Sequence, residues 1–103
     1  MRDAVITLYT NRPEKDENGI LRDVLTCREV YCQVGSITRQ EFFQAGRNGL
    51  NPQFIFYVFA GDYNNEMKLS FEGKDYGIYR TFLDGDYIEL YAERKGGTNG
   101  RTN

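Results

Sequence analysis

Most of this 103-residue chain alternates between apolar and polar residues, and one segment does not. Alternation with period two marks a half-buried strand, because successive side chains leave opposite faces. Ala4–Thr10 is the first such run, β-branched and aromatic. Val24–Val34 is the second, with Val24, Thr26, Arg28, Val30, Cys32 and Val34 on one face and Leu25, Cys27, Glu29, Tyr31 and Gln33 on the other. Arg28 interrupts an otherwise apolar face, which places it near a rim or an interface. Pro52 opens the third run, and Phe54–Phe59 is apolar on both faces, as suits a central strand or one that meets a partner.

Three further runs follow. Met67–Glu72 puts Met67, Leu69 and Phe71 on one face. Tyr76–Leu83 sets Tyr76, Ile78, Arg80 and Phe82 against Gly77, Tyr79, Thr81 and Leu83. Tyr87–Arg94 turns Ile88, Leu90 and Ala92 inward and Glu89 and Glu93 outward. The breaks between them carry turn chemistry: Gly61–Asn65, whose asparagines tolerate positive φ, Gly73-Lys74 as a two-residue hairpin turn with glycine first, and Asp84-Gly85. Asn11–Asp23 is polar, with Pro13, Asn18-Gly19 and charges of both signs. It reads as a long mobile loop or as the tip of an extended hairpin. The expected fold is all-β: a small six-stranded antiparallel barrel or sandwich with one short helical insert and long loops. Residues 1–94 form its single domain, and the apolar-free residues 95–103 a flexible tail.

The exception is Ser36–Leu50. Thr38 followed by Glu41 has the spacing of a capping box, so a helix is expected over Arg39–Ala45, stopped by Gly46 in the left-handed conformation. Phe42 and Phe43 sit side by side in this connection, between Arg39 and Arg47. They either plug the end of the barrel or meet something outside it.

Composition removes several function classes. The sequence has no histidine, the commonest general base and zinc ligand, so no enzyme is expected and no cofactor or metal is assigned. Asp84 and Asp86 flank Gly85 as turn residues, and Gly46-Arg47-Asn48-Gly49 lacks the lysine of a phosphate loop. A net charge of −2 argues against electrostatic wrapping of nucleic acid. Tyr76, Tyr79, Arg80 and Phe82 could form a stacking platform for single strands, but 15 aromatic residues must first build a core. Cys27 and Cys32 lie about 16 Å apart along a strand and on opposite faces, beyond disulfide reach, so both are expected as reduced thiols packed as small hydrophobes. No apolar stretch is long enough for a membrane helix and the N-terminus has no signal-like region, so a cytoplasmic setting and no membrane are expected.

The order of these pieces resembles the tailed-phage head–tail joining proteins, also called head-closure or stopper proteins, of phages and prophages of Gram-positive hosts. The resemblance rests on the polar loop after the first strand, Val34–Gly46, Leu50-Asn51-Pro52, Phe54-Ile55-Phe56, Asp62-Tyr63-Asn64, Tyr79-Arg80-Thr81 and Asp86–Tyr91, and covers about residues 3–94. Asn65 departs from it, standing where a glycine is expected. The resemblance implies a small barrel that assembles below the portal and adaptor rings as a homo-oligomeric ring, dodecameric or hexameric, from free monomers. That ring closes the DNA channel after packaging and offers the tail its docking surface. The implied partners are the adaptor, the tail terminator and packaged DNA held without sequence specificity. The implied location is the virion, or the host cytoplasm during assembly. The connection Gly35–Asn51 corresponds to the channel plug, with glycines at 35, 46 and 49 as hinges and Ser36, Thr38, Arg39, Glu41, Phe42, Phe43, Gln44, Arg47, Asn48 and Leu50 as its plug and ring contacts. Arg12, Glu14, Lys15, Asp16 and Glu17 form a second candidate interface in the polar loop. A tail-completion protein and a small nucleic-acid-binding barrel are the alternatives.

Overall fold

The structure, a computed structural model, describes residues 2–94; the expected tail lies outside them. Six strands are present: β1 (Arg2–Lys15), β2 (Leu21–Ser36), β3 (Pro52–Phe59), β4 (Lys68–Phe71), β5 (Lys74–Asp84) and β6 (Tyr87–Arg94). One helix, α1 (Arg39–Arg47), separates β2 from β3. The strands close into an antiparallel barrel, as the alternation predicts; their order, β1-β2-β3-β6-β5-β4, is not a meander of the last four strands, because β3 pairs with β6 and β4 with β1.

The inward faces supply one core. Ile6, Leu8, Val30, Cys32, Val34, Phe56, Val58, Leu69, Phe71, Tyr76, Ile78, Leu90 and Ala92 are buried together. Phe56 is fully buried, and its ring meets Phe71 edge-on at 5.3 Å between centroids. Such edge-to-face packing fills a small barrel without a tryptophan. β3 is central, between β2 and β6, with Phe54, Phe56 and Val58 turned inward.

The first two strands overrun the barrel. They pair continuously from Arg2↔Val34 to Lys15↔Leu21, yet β4 joins β1 only at Thr7–Tyr9 and β3 joins β2 only at Cys32–Ser36. The end from Thr10↔Thr26 to Lys15↔Leu21 is a two-stranded arm, and the molecule measures 52 × 38 × 23 Å. The polar segment Asn11–Asp23 is therefore mostly strand, and its loop is only the tip. Asp16 builds that tip: Oδ1 accepts from the N–H groups of Asn18 at 2.9 Å and Ile20 at 3.0 Å, and Oδ2 accepts from Arg22 Nε at 3.1 Å. Gly19 supplies the positive φ of 79°. The apolar face expected from Val24 onward becomes buried only at Val30, because the arm has no barrel behind it. Cys32 is buried in the core as expected, but Cys27, on the outward face with Glu29 and Tyr31, is exposed and does not pack as a small hydrophobe. Arg28 does lie at a rim, where it donates to buried Glu66 at 2.9 Å and to the Asp62 carbonyl.

Three local expectations are corrected. The β4–β5 turn is Glu72-Gly73, both at positive φ (51° and 77°), because Phe71 pairs with Lys74. Met67 precedes β4 and stays exposed. In β5 a bulge inserts Tyr79 between Ile78, opposite Ala92, and Arg80, opposite Tyr91. Tyr76 and Ile78 therefore face the core while Arg80 does not, which breaks the strict alternation. Asn65 takes φ 62°, the conformation expected of a glycine there.

Candidate functional site

The helix starts as its sequence requires. Thr38 is the N-cap, and its Oγ1 accepts from the Glu41 N–H at 3.1 Å. The reciprocal half of the capping box is missing, because the Glu41 side chain turns to the barrel wall instead. There Glu41 Oε1 accepts from Arg80 Nη2 at 2.6 Å, and Oε2 accepts from Tyr79 Oη at 2.7 Å and Arg80 Nε at 3.3 Å. The helix does not end at Gly46, which lies within it. It ends at Asn48, whose N–H reaches the Ala45 carbonyl at 3.0 Å, and Gly49 takes the positive φ of 78°. Gly49 alone of the three expected hinge glycines adopts such a backbone angle.

Two residues one turn apart, Glu41 and Ala45, form the buried face of α1. The helix packs against β3, where Ile55 and its cross-strand partner Tyr91 are buried outside the main core. Arg80 links the layers: its guanidinium lies 3.9 Å from the Tyr91 ring centroid while it grips Glu41. Tyr91 Oη donates to Glu89 Oε1 at 2.6 Å. The Arg80 hydrogen bond is the largest cause holding the Glu41 carboxyl below the usual range, with the Tyr79 hydroxyl adding to it against the cost of burial. Burial first, and then the bond to Glu89, pushes the Tyr91 hydroxyl up to about 12. Tyr79 is raised too, by burial and by its bond to Glu41.

The phenylalanines lie elsewhere. Phe42 and Phe43 are 51% and 59% exposed, with ring centroids 6.0 Å apart in an edge arrangement. The barrel core is complete without them, so they do not plug it. Arg39, Phe43 and Arg47 share one row of the helix at four-residue spacing, all exposed. Gln44 is exposed, and its carbonyl accepts from Asn48 Nδ2 at 3.3 Å. Leu50 is half-buried, its N–H tied to the Ala45 carbonyl at 3.1 Å. Ser36 belongs to β2, opposite Phe54. The second candidate interface is split: Arg12, Glu14 and Lys15 lie on the exposed arm, Asp16 holds its turn, and Glu17 sits at its tip. The stacking platform drawn through Tyr76, Tyr79, Arg80 and Phe82 is not one surface, since Tyr76 is in the core and Tyr79 and Arg80 are engaged by Glu41.

Sequence reasoning missed the docking surface of the helix. Glu41 lies 38 and 39 residues from Tyr79 and Arg80, and no local pattern joins them. It also missed an open cleft of about 810 Å³ lined by Tyr9, Leu25, Met67, Leu69, Asp75 and Tyr76, among others. Its walls come from strands that pair only after closure. Among the described residues no cluster of three or more metal-binding side chains occurs. No helix among them is long and apolar enough to cross a membrane.

No protein-family model matches the chain, and no curated protein matches it either. A solved structure does: the solution structure of protein SF1141 from Shigella flexneri 2a, with a TM-score of 0.67 and 14% sequence identity, over 92% of this chain and 94% of that one. At that identity the likeness is one of fold alone.

Proposed function

We propose that this chain is a structural, non-enzymatic subunit of a phage or prophage head–tail connector. It forms a ring below the portal and adaptor, closes the DNA channel after packaging and offers the tail its docking surface. The observation that supports this most is the outward placement of Phe42 and Phe43 on a helix fixed to the barrel wall. Side-by-side exposed aromatic residues on an ordered element favour a protein contact, because the area they bury on association is the main driving force available to them. The helix lies within the connection that the resemblance matches to the channel plug. In this reading the segment from Gly35 to Asn51 carries ring contacts and channel closure. The adaptor, the tail terminator and packaged DNA are its partners, in the virion and, during assembly, the host cytoplasm. Tail completion would use the same contacts at a different joint.

Reconstitution tests the reading. Purified protein added to DNA-filled heads bearing portal and adaptor should form a ring visible by electron microscopy and stop DNA loss. Heads that bind no ring would overturn it.

One observation favours a nucleic-acid-binding barrel instead. Val5 pairs with Tyr31 and Phe59 with Tyr87, and the β2–β3 register sets Tyr31 next to Phe59, so an exposed, largely aromatic row crosses four strands. Two residues along β2 and β6 from its tyrosines stand Glu29 and Glu89, which would repel phosphates. A salt titration of single-strand binding separates the readings, since phosphate contacts make affinity fall steeply with salt.

A further inference from the structure

The helix and the open cleft occupy opposite sides of the barrel. In the closed order β1-β2-β3-β6-β5-β4, α1 rides on β3 and is latched to β5 beside β6, while the cleft opens where β4 meets β1. With six strands, the β3–β6 seam and the β4–β1 seam are diametrically opposed. The β4–β1 seam is also the shortest junction, three residue pairs ending at Tyr9↔Lys68, and beyond it the arm departs and leaves a notch. Leu25 and Met67 line that notch, and both are 63% exposed.

We propose that the cleft receives Phe42 and Phe43 of a second copy of this chain, so that copies associate head to tail. This rests on the reading of α1 as a subunit contact and names the surface it meets. Three observations converge on that occupant. The chain itself displays an apolar knob and an apolar notch, and their opposition forbids one copy from filling its own. Their charges match: Arg39 and Arg47 flank Phe43 along the helix, while Asp75 is in the cleft wall and Asp23 lies two residues from Leu25 on the same strand face. None of these four charged groups has an ion-pair partner among the described residues, and Lys68 is the one cation in the wall. A knob and a notch on opposite faces make a heterologous contact, which closes into a ring when the rotation between copies allows.

Paired variants of the full chain test this. An isotope-labelled chain carrying Phe42→Ser and Phe43→Ser keeps only its notch. An unlabelled chain carrying Leu25→Arg and Met67→Arg keeps only its knob. All four positions are exposed, and dispersed amide spectra verify folding; Phe43→Ser and Met67→Arg alone serve if either double variant unfolds. Titrating one with the other should shift the amides of Thr10, Leu69, Asp75 and Tyr76 and saturate at equal stoichiometry. Unlabelled notch-only chain should shift none. Arg47→Glu in the knob-only chain should weaken the titration about threefold, and Asp75→Arg in the labelled chain should restore it. Absence of shifts at millimolar concentration, or shifts confined to other residues, would overturn the proposal. Intact titration with no binding to heads would remove the connector reading and leave the contact. DNA retention by the Leu25→Arg, Met67→Arg chain would remove the contact and leave the connector reading.

Discussion

Glu41 and Arg80 meet at 2.6 Å across 39 residues of sequence, and this contact fixes the chain's helix to its barrel. The Glu41 carboxylate is almost wholly buried, whereas about half of the Arg80 side chain is exposed to solvent. Losing the carboxylate should therefore cost more than an exposed pair and less than a fully buried one. Glu41→Ala should destabilise the fold by about 1–3 kcal/mol. The amides of residues 42–48 should then exchange faster while those of the barrel strands change little. A double variant with Arg80→Met should cost less than the two single changes summed. Native-state hydrogen exchange and urea unfolding read both effects.

The pH dependence follows from two carboxylates. Glu41 is held low chiefly by Arg80. Burial works to raise Glu66, but hydrogen bonds from the Asn64 N–H and Arg28 outweigh it, and it too is held low. A carboxyl with a depressed folded value contributes stability that is complete above its unfolded pKa, about 4.3 for glutamate. That contribution disappears as pH falls through the folded value. Thermal midpoints should be flat from pH 7 to about 5 and drop in the acid range below the ordinary glutamate pKa. Glu66→Gln should start lower at pH 7 and fall less steeply on acidification.

The two cysteines should react differently. Cys27 is exposed on the outward face of β2, whereas Cys32 is in the core, where burial raises its thiol pKa to about 11. A thiol reagent at neutral pH should label Cys27 alone in the native protein and both thiols in denaturant. Rapid native labelling of both would contradict the burial of Cys32 in the barrel core.

Phe56 and the Phe42–Phe43 pair should separate core from surface. Phe56→Ala opens a cavity among Phe54, Phe71 and Tyr76 and should cost about 3–5 kcal/mol. Serine at either exposed phenylalanine should change stability by no more than about 0.5 kcal/mol. Chemical denaturation of the three variants measures the contrast.

Glu72 offers a gain. Its φ of 51° suits asparagine better, since a left-handed backbone costs a glutamate about 1 kcal/mol. The ion pair it makes with Arg2 at 3.2 Å is exposed and contributes little. Glu72→Asn should raise the unfolding midpoint by the equivalent of about 0.5 kcal/mol.

Much of the barrel was legible because its inward faces repeat locally. Leu90 and Ala92 declare their side within one strand, and Thr38 with Glu41 announces a helix start within four residues. What escaped had no local signature. Alternation in Val24–Val34 signals a strand equally well whether or not a barrel stands behind it, so the arm read as wall or loop. The extra residue in β5 is invisible until the strand is paired with β6. The role of Glu41 was half legible: its backbone caps as the spacing demands, but its carboxylate answers two residues on a distant strand.

The extra residue in β5 changes what the outer wall presents without changing its register. Without Tyr79, Ile78 opposite Ala92 would be followed directly by Arg80 opposite Tyr91, in unbroken register. Every later side chain of β5 would keep its present side. The register of the barrel therefore does not depend on Tyr79, whose ring packs on Tyr91 and whose hydroxyl is delivered to Glu41. The bulge thus serves the helix more than the register of the wall: it sets the Tyr79 hydroxyl and the Arg80 guanidinium on the same carboxylate.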